Sequence, residues 1–141
     1  MQVCCLYAGK DRNDSSLDAV VKALAKGLEE QGHSVDILNM YTDGDRKLSF
    51  YDYIVVGCNT TSGLGGKIPE VVRTTLSRAG QISGKRCFAF VVKGGLRSQK
   101  TLSLLMKAME GEGMYLKFSD VLKKPDVAYA LGKRLNVERN L

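Results

Sequence analysis

The chain has 141 residues, of which 44% are apolar and 26% are charged, values that are typical of a soluble globular protein. No apolar run approaches the roughly 18 residues that a membrane span needs, so no membrane partner is expected. The net charge of +6 comes from the second half, but its basic residues fall on polar faces of predicted helices, which argues against nucleic-acid binding. The length predicts one domain over residues 1–141 with a single α/β core.

The first predicted element is a strand over residues 2–7. The apolar segment that contains it has no basic leader and no small-residue cleavage site, so it is not typical of a signal peptide, and a cytoplasmic location is expected. Ser15 and Asp18 then have the spacing of a capping box, which predicts a helix start. The apolar residues at helical spacing in this first helix, which ends at Gly32, are Leu17, Val20, Val21, Leu24 and Leu28.

Two further strands are predicted at residues 34–38 and 53–57. The polar connection between them, around residues 43–45, leaves barely enough room for a crossover helix. A second helix is predicted to begin at Pro69, because the first turn of a helix has no acceptor for the N–H group that proline lacks.

The second half of the chain repeats this alternation. Residues 86–92 are nearly continuous in apolar side chains, as in a strand buried on both faces, and residues 115–118 predict a short fifth strand. The third helix lies between them, and its inward stripe is Leu102, Leu105, Met106 and Met109. A last helix opens at Pro125, and its predicted inward residues are Val127, Leu131 and Leu135. Five strands alternating with about four helices predict a doubly wound parallel sheet with helices on both faces.

The four cysteines predict neither a disulfide framework nor a zinc site. Cys4 and Cys5 are adjacent in a strand, so their side chains point to opposite faces, and the chain has one histidine and no CxxC spacing. We therefore expect Cys4, Cys5 and Cys87 to pack as small apolar residues, and predict no metal ligand and no catalytic residue. Cys58 ends the third strand and has two interpretations, a packing role, which is favoured, and a reactive thiol.

Three loops that follow strands have the composition of a ligand site. Residues 8–16 bring backbone N–H groups and two hydroxyls to a helix start, which suits a phosphate, although an ordinary polar turn has the same composition. Residues 59–67 contain three glycines, so their backbone can approach a flat ligand closely. Residues 93–98 carry two more glycines after the next strand. In a doubly wound sheet these loops share one edge, and ligands bind there.

The segment 51–71 resembles the third strand, flavin-contacting loop and following helix start of short-chain flavodoxins. Two shorter segments, 85–90 and 131–135, are similar to the fourth strand and the closing helix of the same family. The resemblance covers essentially the whole chain. It implies a flavodoxin-like five-stranded parallel sheet of order 2-1-3-4-5.

The resemblance also implies a cofactor, FMN, held non-covalently, and a redox partner protein. Carried over by position, the residues that would hold the phosphate are Lys10, Asn13, Ser15 and Ser16. One side of the flavin ring would be lined by Asn59, Thr60, Thr61, Ser62 and Gly63, and the other side by Lys93, Gly94 and Gly95. The activity implied is electron transfer or a small flavin-dependent reductase, with the redox chemistry supplied by the flavin.

Two departures from the flavodoxin pattern support an alternative function. The family's phosphate loop is a hydroxyl-rich turn, whereas Lys10, Asp11, Arg12 and Asp14 occupy that stretch here. Neither of the other two loops contains an aromatic residue to stack on a flavin. The alternative is a flavodoxin-like domain that has lost FMN and serves as an interaction module or binds another anionic ligand.

Overall fold

The predicted alternation of strands and helices is confirmed in the computed structural model, which describes residues 1–59, 67–92 and 98–137. In chain order the elements are β1 (Gln2–Ala8), α1 (Asp18–Glu30), β2 (Ser34–Asn39), α2 (Met40–Asp43), β3 (Tyr53–Cys58), α3 (Glu70–Arg78), β4 (Arg86–Val92), α4 (Ser98–Gly111), β5 (Tyr115–Leu122) and α5 (Pro125–Arg134). All strand pairings are parallel, and the sheet has the predicted order β2-β1-β3-β4-β5. None of the described helices is long and apolar enough to cross a membrane.

The strand side chains alternate between two apolar cores, because successive residues of a strand point to opposite faces. In β1, Cys4 and Leu6 belong to the core beneath α2, α3 and α4. Val3 and Cys5 belong to the core beneath α1 and α5. The two adjacent cysteines therefore lie on opposite faces, as predicted, and all four cysteines of the chain are buried and free.

The fifth strand is longer than predicted, because it extends through Leu122 instead of ending at Phe118. The added residues include Ser119 and Asp120, whose polarity is typical of a loop, yet both continue the parallel ladder with β4. Polar side chains are tolerated here because β5 is an edge strand that is only partly covered. The other four strands match their predicted bounds to within one residue, and α3 begins directly after Pro69.

The connection between β2 and β3, predicted to leave barely enough room for a crossover helix, contains the short helix α2. Two reciprocal hydrogen bonds stabilise the start of α2. The Asn39 side chain accepts the N–H of Tyr41 at 3.0 Å, and the Asp43 carboxylate accepts the N–H of Asn39 at 3.1 Å. This exchange satisfies backbone donors that a helix start leaves without partners, which explains why one turn is stable here.

Two predictions about helix residues are wrong. The capping box does not form, since α1 begins after Leu17 with no side-chain cap, and Ser15 accepts the Asp18 N–H through its backbone carbonyl at 3.1 Å. In α5, Val127 is 43% exposed, and Ala128 takes the buried position instead. Ala128 lies three and four residues before Leu131 and Gly132, the other two buried residues of α5, so the buried face is centred one residue further along the helix than predicted.

Candidate functional site

The strand ends form a topological switch point between β1 and β3. These strands are neighbours in the sheet, but α1, which follows β1, packs on one face and α3, which follows β3, packs on the other. The chain therefore diverges as it leaves the two strands, and ligands of doubly wound sheets bind in the crevice that this divergence opens. In this sheet such a crevice would lie outside Ala8 and Cys58, the last residues of β1 and β3.

The loop between β1 and α1, called here the first loop (residues 9–17), closes around the carboxylate of Asp14. Its Oδ2 atom accepts the backbone N–H of Lys10 at 2.8 Å, and its Oδ1 atom accepts the backbone N–H of Ser16 at 2.9 Å. The side-chain amide of Asn59 donates to Oδ2 at 3.0 Å. Three donors, two from the first loop and one from the end of β3, thus converge on one partly buried carboxylate.

These donors determine the charge state of Asp14. Desolvation by burial acts to raise the pKa of this carboxyl, but the hydrogen bonds outweigh it and hold the pKa well below its ordinary range. The donors are the Lys10 and Ser16 backbone N–H groups, the Ser16 hydroxyl and the Asn59 amide. Asp14 is therefore an anion at neutral pH.

Asn59 joins the end of β3 to the first loop. It is buried, and its backbone N–H donates to the Ala8 carbonyl at 3.2 Å, which extends the β1–β3 ladder by one step. Its side-chain Nδ2 donates to Ser16 Oγ at 2.6 Å as well as to Asp14. Donation from one amide group to two acceptors therefore ties the end of β3 to the first loop.

The structure brings together some of the sequence-predicted site residues. Ser16 and Asn59 are in direct contact, whereas the exposed Asn13 donates its backbone N–H to Asp11 at 2.9 Å and Ser15 contributes a backbone carbonyl to the start of α1. The side chain of Lys10 is exposed. The remaining predicted ligand residues lie outside the described residues; they are Thr60, Thr61, Ser62, Gly63, Lys93, Gly94 and Gly95.

Sequence reasoning missed two residues that shape the first loop. The Tyr41 hydroxyl donates to the Gly9 carbonyl at 2.9 Å, so α2 supports the loop from the side. A Cβ atom on Gly9 would lie 2.8 Å from Cβ of Asp14, so only glycine leaves room for the carboxylate to fold back. The pair Asn39 and Asp43, spaced as a helix start, was the signal that could have located Tyr41.

Solved structures that share this architecture include flavodoxins. A flavodoxin from the domain Archaea is 18% identical, with a TM-score of 0.67 over 96% of this chain and 93% of that chain. Oxidised flavodoxin 2 from Bacillus cereus is 15% identical, with a TM-score of 0.71 over 94% and 93%. Two-electron reduced flavodoxin from Megasphaera elsdenii is 16% identical, with a TM-score of 0.71 over 93% and 96%.

This chain has the flavodoxin-like fold. The resemblance inferred from residues 51–71 is therefore confirmed at the level of the fold, along nearly the whole chain. No protein-family model matches the sequence, and no curated protein matches it.

Cys58 is the last residue of β3 in this flavodoxin-like sheet, directly beside the crevice. Its side chain is fully buried in the core beneath α3 and α4. Burial raises the pKa of the Cys58 thiol to about 12, so the thiol stays protonated at neutral pH and is a poor nucleophile. The structure therefore favours the packing role over the reactive thiol.

FMN, which the flavodoxin-like fold implies, does not fit the first loop at its phosphate end. A phosphate at a strand-to-helix loop is held by free backbone N–H groups. The N–H groups of Lys10 and Ser16 instead donate to the Asp14 carboxylate. The side-chain charges of the loop also cancel, because Asp11 and Asp14 oppose Lys10 and Arg12.

Asp14→Ala is expected to destabilise the protein by about 1 to 2 kcal/mol at neutral pH, after allowance for the partial exposure of the carboxylate. Because the folded-state pKa of Asp14 is lowered, this stabilisation is present above the unfolded pKa of about 4 and is lost as the pH falls towards the folded value. Thermal unfolding of both proteins between neutral and acidic pH measures the difference. A gap in Tm that stays constant below about pH 4 would contradict this account.

Proposed function

We propose that this chain is a flavodoxin-like redox protein that binds a flavin, FMN or riboflavin, in the crevice between β1 and β3. The observation that carries the proposal is the switch point itself, since this strand order places a crevice outside the ends of β1 and β3. The relatives support a redox role, because two of them are described by redox state, one oxidised and one two-electron reduced.

This chain would hold the flavin ring and determine the polarity around it, while the bound flavin would supply the electron transfer. Asn59 ties the end of β3 to the first loop at this crevice. The buried Cys58 provides an uncharged, apolar side chain next to Asn59. Electron transfer to a partner protein and the reduction of a small molecule are both compatible with this site.

A second candidate function is a flavodoxin-like domain that works without FMN as an interaction module. The observation that favours it is the occupation of the Lys10 and Ser16 N–H groups by Asp14. The same observation counts against another anionic ligand in the first loop, since that ligand would meet the same carboxylate. The two candidates differ in one measurable property, the affinity for a flavin.

Flavin binding is tested by fluorescence quenching of FMN and riboflavin, together with a visible spectrum of the purified protein. We expect at least one flavin to be quenched with a dissociation constant in the micromolar range or tighter. Gly9→Ala should weaken the binding of riboflavin severalfold, because the new Cβ would displace Asp14 and reshape the first loop. Gly111→Ala is the matched control, since nothing lies within 4 Å of its Cβ position, far from the crevice.

The proposal fails if neither flavin is quenched at a protein concentration well above the micromolar range. In that case the interaction module is the better account. Equal weakening by Gly9→Ala and Gly111→Ala would place the flavin away from the first loop.

A further inference from the structure

The carboxylate of Asp14 lies where a phosphate in the first loop would need to be. A phosphate bound between a strand and a helix takes backbone N–H groups that point into the loop. Here those of Lys10 and Ser16 are taken at 2.8 and 2.9 Å by the two oxygens of one carboxylate. The same N–H groups cannot bind both anions. The carboxylate of Asp14 therefore takes the place of an external phosphate in the first loop.

The structure holds Asp14 in this place from both sides. Asn59 donates to it at 3.0 Å from the end of β3, and the missing side chain of Gly9 leaves the space into which it folds. An incoming phosphate would have to break the contact to Asn59 as well as the two backbone hydrogen bonds. If Asp14 stayed in place, the phosphate would lie in contact with its negative charge and would be repelled by it.

We infer that Asp14 acts as the built-in anion of the first loop, so that this protein gains no affinity from the phosphate of a flavin and binds riboflavin as tightly as FMN. The inference about flavins rests on the proposed function. The inference that Asp14 excludes a phosphate from the first loop does not depend on the proposed function, because it applies to any phosphate. Asp14 thus sets the relative affinity of the site for FMN and riboflavin.

The test compares the dissociation constants of riboflavin and FMN for the wild type, Asp14→Ala and Asp11→Ala. Asp11 is the matched control, because its replacement removes the same charge from the same loop but leaves the Lys10 and Ser16 hydrogen bonds in place. We expect similar constants for the two flavins in the wild type. Asp14→Ala should shift the preference towards FMN by at least tenfold, whereas Asp11→Ala should leave it within about threefold of the wild-type value.

The inference is wrong if the wild type binds FMN at least tenfold more tightly than riboflavin. It is also wrong if Asp14→Ala and Asp11→Ala shift the preference equally, since net charge alone would then explain the effect. Circular dichroism confirms that each variant is folded. Asp14→Ser, which keeps a short polar side chain, replaces Asp14→Ala if the alanine variant does not fold.

If no flavin binds to any of the three proteins, the proposed function fails, and inorganic phosphate decides the inference separately. Phosphate is titrated into isotope-labelled protein while the backbone amide signals are recorded. We expect saturable shifts at Lys10 and Ser16 in Asp14→Ala and none at these amides in the wild type or in Asp11→Ala. Saturable shifts in the wild type, or none in Asp14→Ala, would overturn the inference.

Discussion

Gly132→Ala is expected to cost at least about 3 kcal/mol of unfolding free energy, because it forces apart the two helices that cover one face of the sheet. A Cβ atom on Gly132 in α5 would overlap the carbonyl oxygen of Leu24 in α1 and would lie 3.0 Å from Cα of Gly27. These are backbone atoms, so no side-chain rotation can relieve the overlap. The Gln31 side chain also donates to the Gly132 carbonyl at 2.6 Å, which fixes the crossing of the helices further.

The expected readout for Gly132→Ala is a fall in Tm of about 10 °C or more. Gly27→Ala should act in the same way, since its Cβ would overlap the Tyr129 carbonyl and lie 2.8 Å from the Lys133 nitrogen. Gly111→Ala is again the control, because it adds a methyl group in open space at the end of α4 and should leave Tm unchanged or raise it slightly. Equal Tm values for Gly132→Ala and Gly111→Ala would contradict the close helix crossing.

Gly57→Ala is expected to cost about 2 to 3 kcal/mol, because the ring of Phe90 covers the glycine from the neighbouring strand. The two residues are paired in the register of β3 and β4, and Phe90 is 1% exposed. A Cβ atom on Gly57 would overlap this ring, because three ring atoms would lie within 2.6 Å of it. Phe90 also stacks on Phe88, with ring centroids 6.0 Å apart, so it cannot move freely.

A double-mutant cycle with Phe90→Leu isolates this contact. The smaller side chain leaves space, so Gly57→Ala should cost at least about 1 kcal/mol less in the Phe90→Leu background than in the wild type. Chemical denaturation of the four proteins provides the values. Additive free energies would show that the ring of Phe90 does not limit the space at Gly57.

Strand patterns were the most predictable part of this fold. The nearly continuous apolar run of Arg86–Val92 located β4 without error, because a short run of this kind is typical of a strand buried on both faces. Edge positions were harder, because the polar Ser119 and Asp120 give no strand signal and pair with β4 only in the folded sheet. Short helices are equally hard to predict from the sequence, because α2 depends on the Asn39 cap more than on any apolar periodicity.

Glycines and hydroxyls after the strands predicted a site at the edge of the sheet where β1 and β3 end, which is where the switch point lies. The contacts within the first loop were not predictable from the sequence. The role of Asp14 depends on its contact with Asn59, which is 45 residues away in the sequence, and on the space above Gly9. No spacing rule connects these three residues, because the contact exists only once β1 and β3 are paired.

The most direct test of the account is to map the amide signals that change when riboflavin, and in parallel FMN, is added to isotope-labelled protein. If the flavin binds in the crevice, we expect saturable changes in the amide signals of the first loop, Cys58 and Asn59, where β1 and β3 end. The contrasting location is a cavity of about 310 Å³ beside Phe118 and Leu131, between β5 and α5. Changes confined to that cavity, or no changes with either flavin, would contradict a flavin site at the switch point.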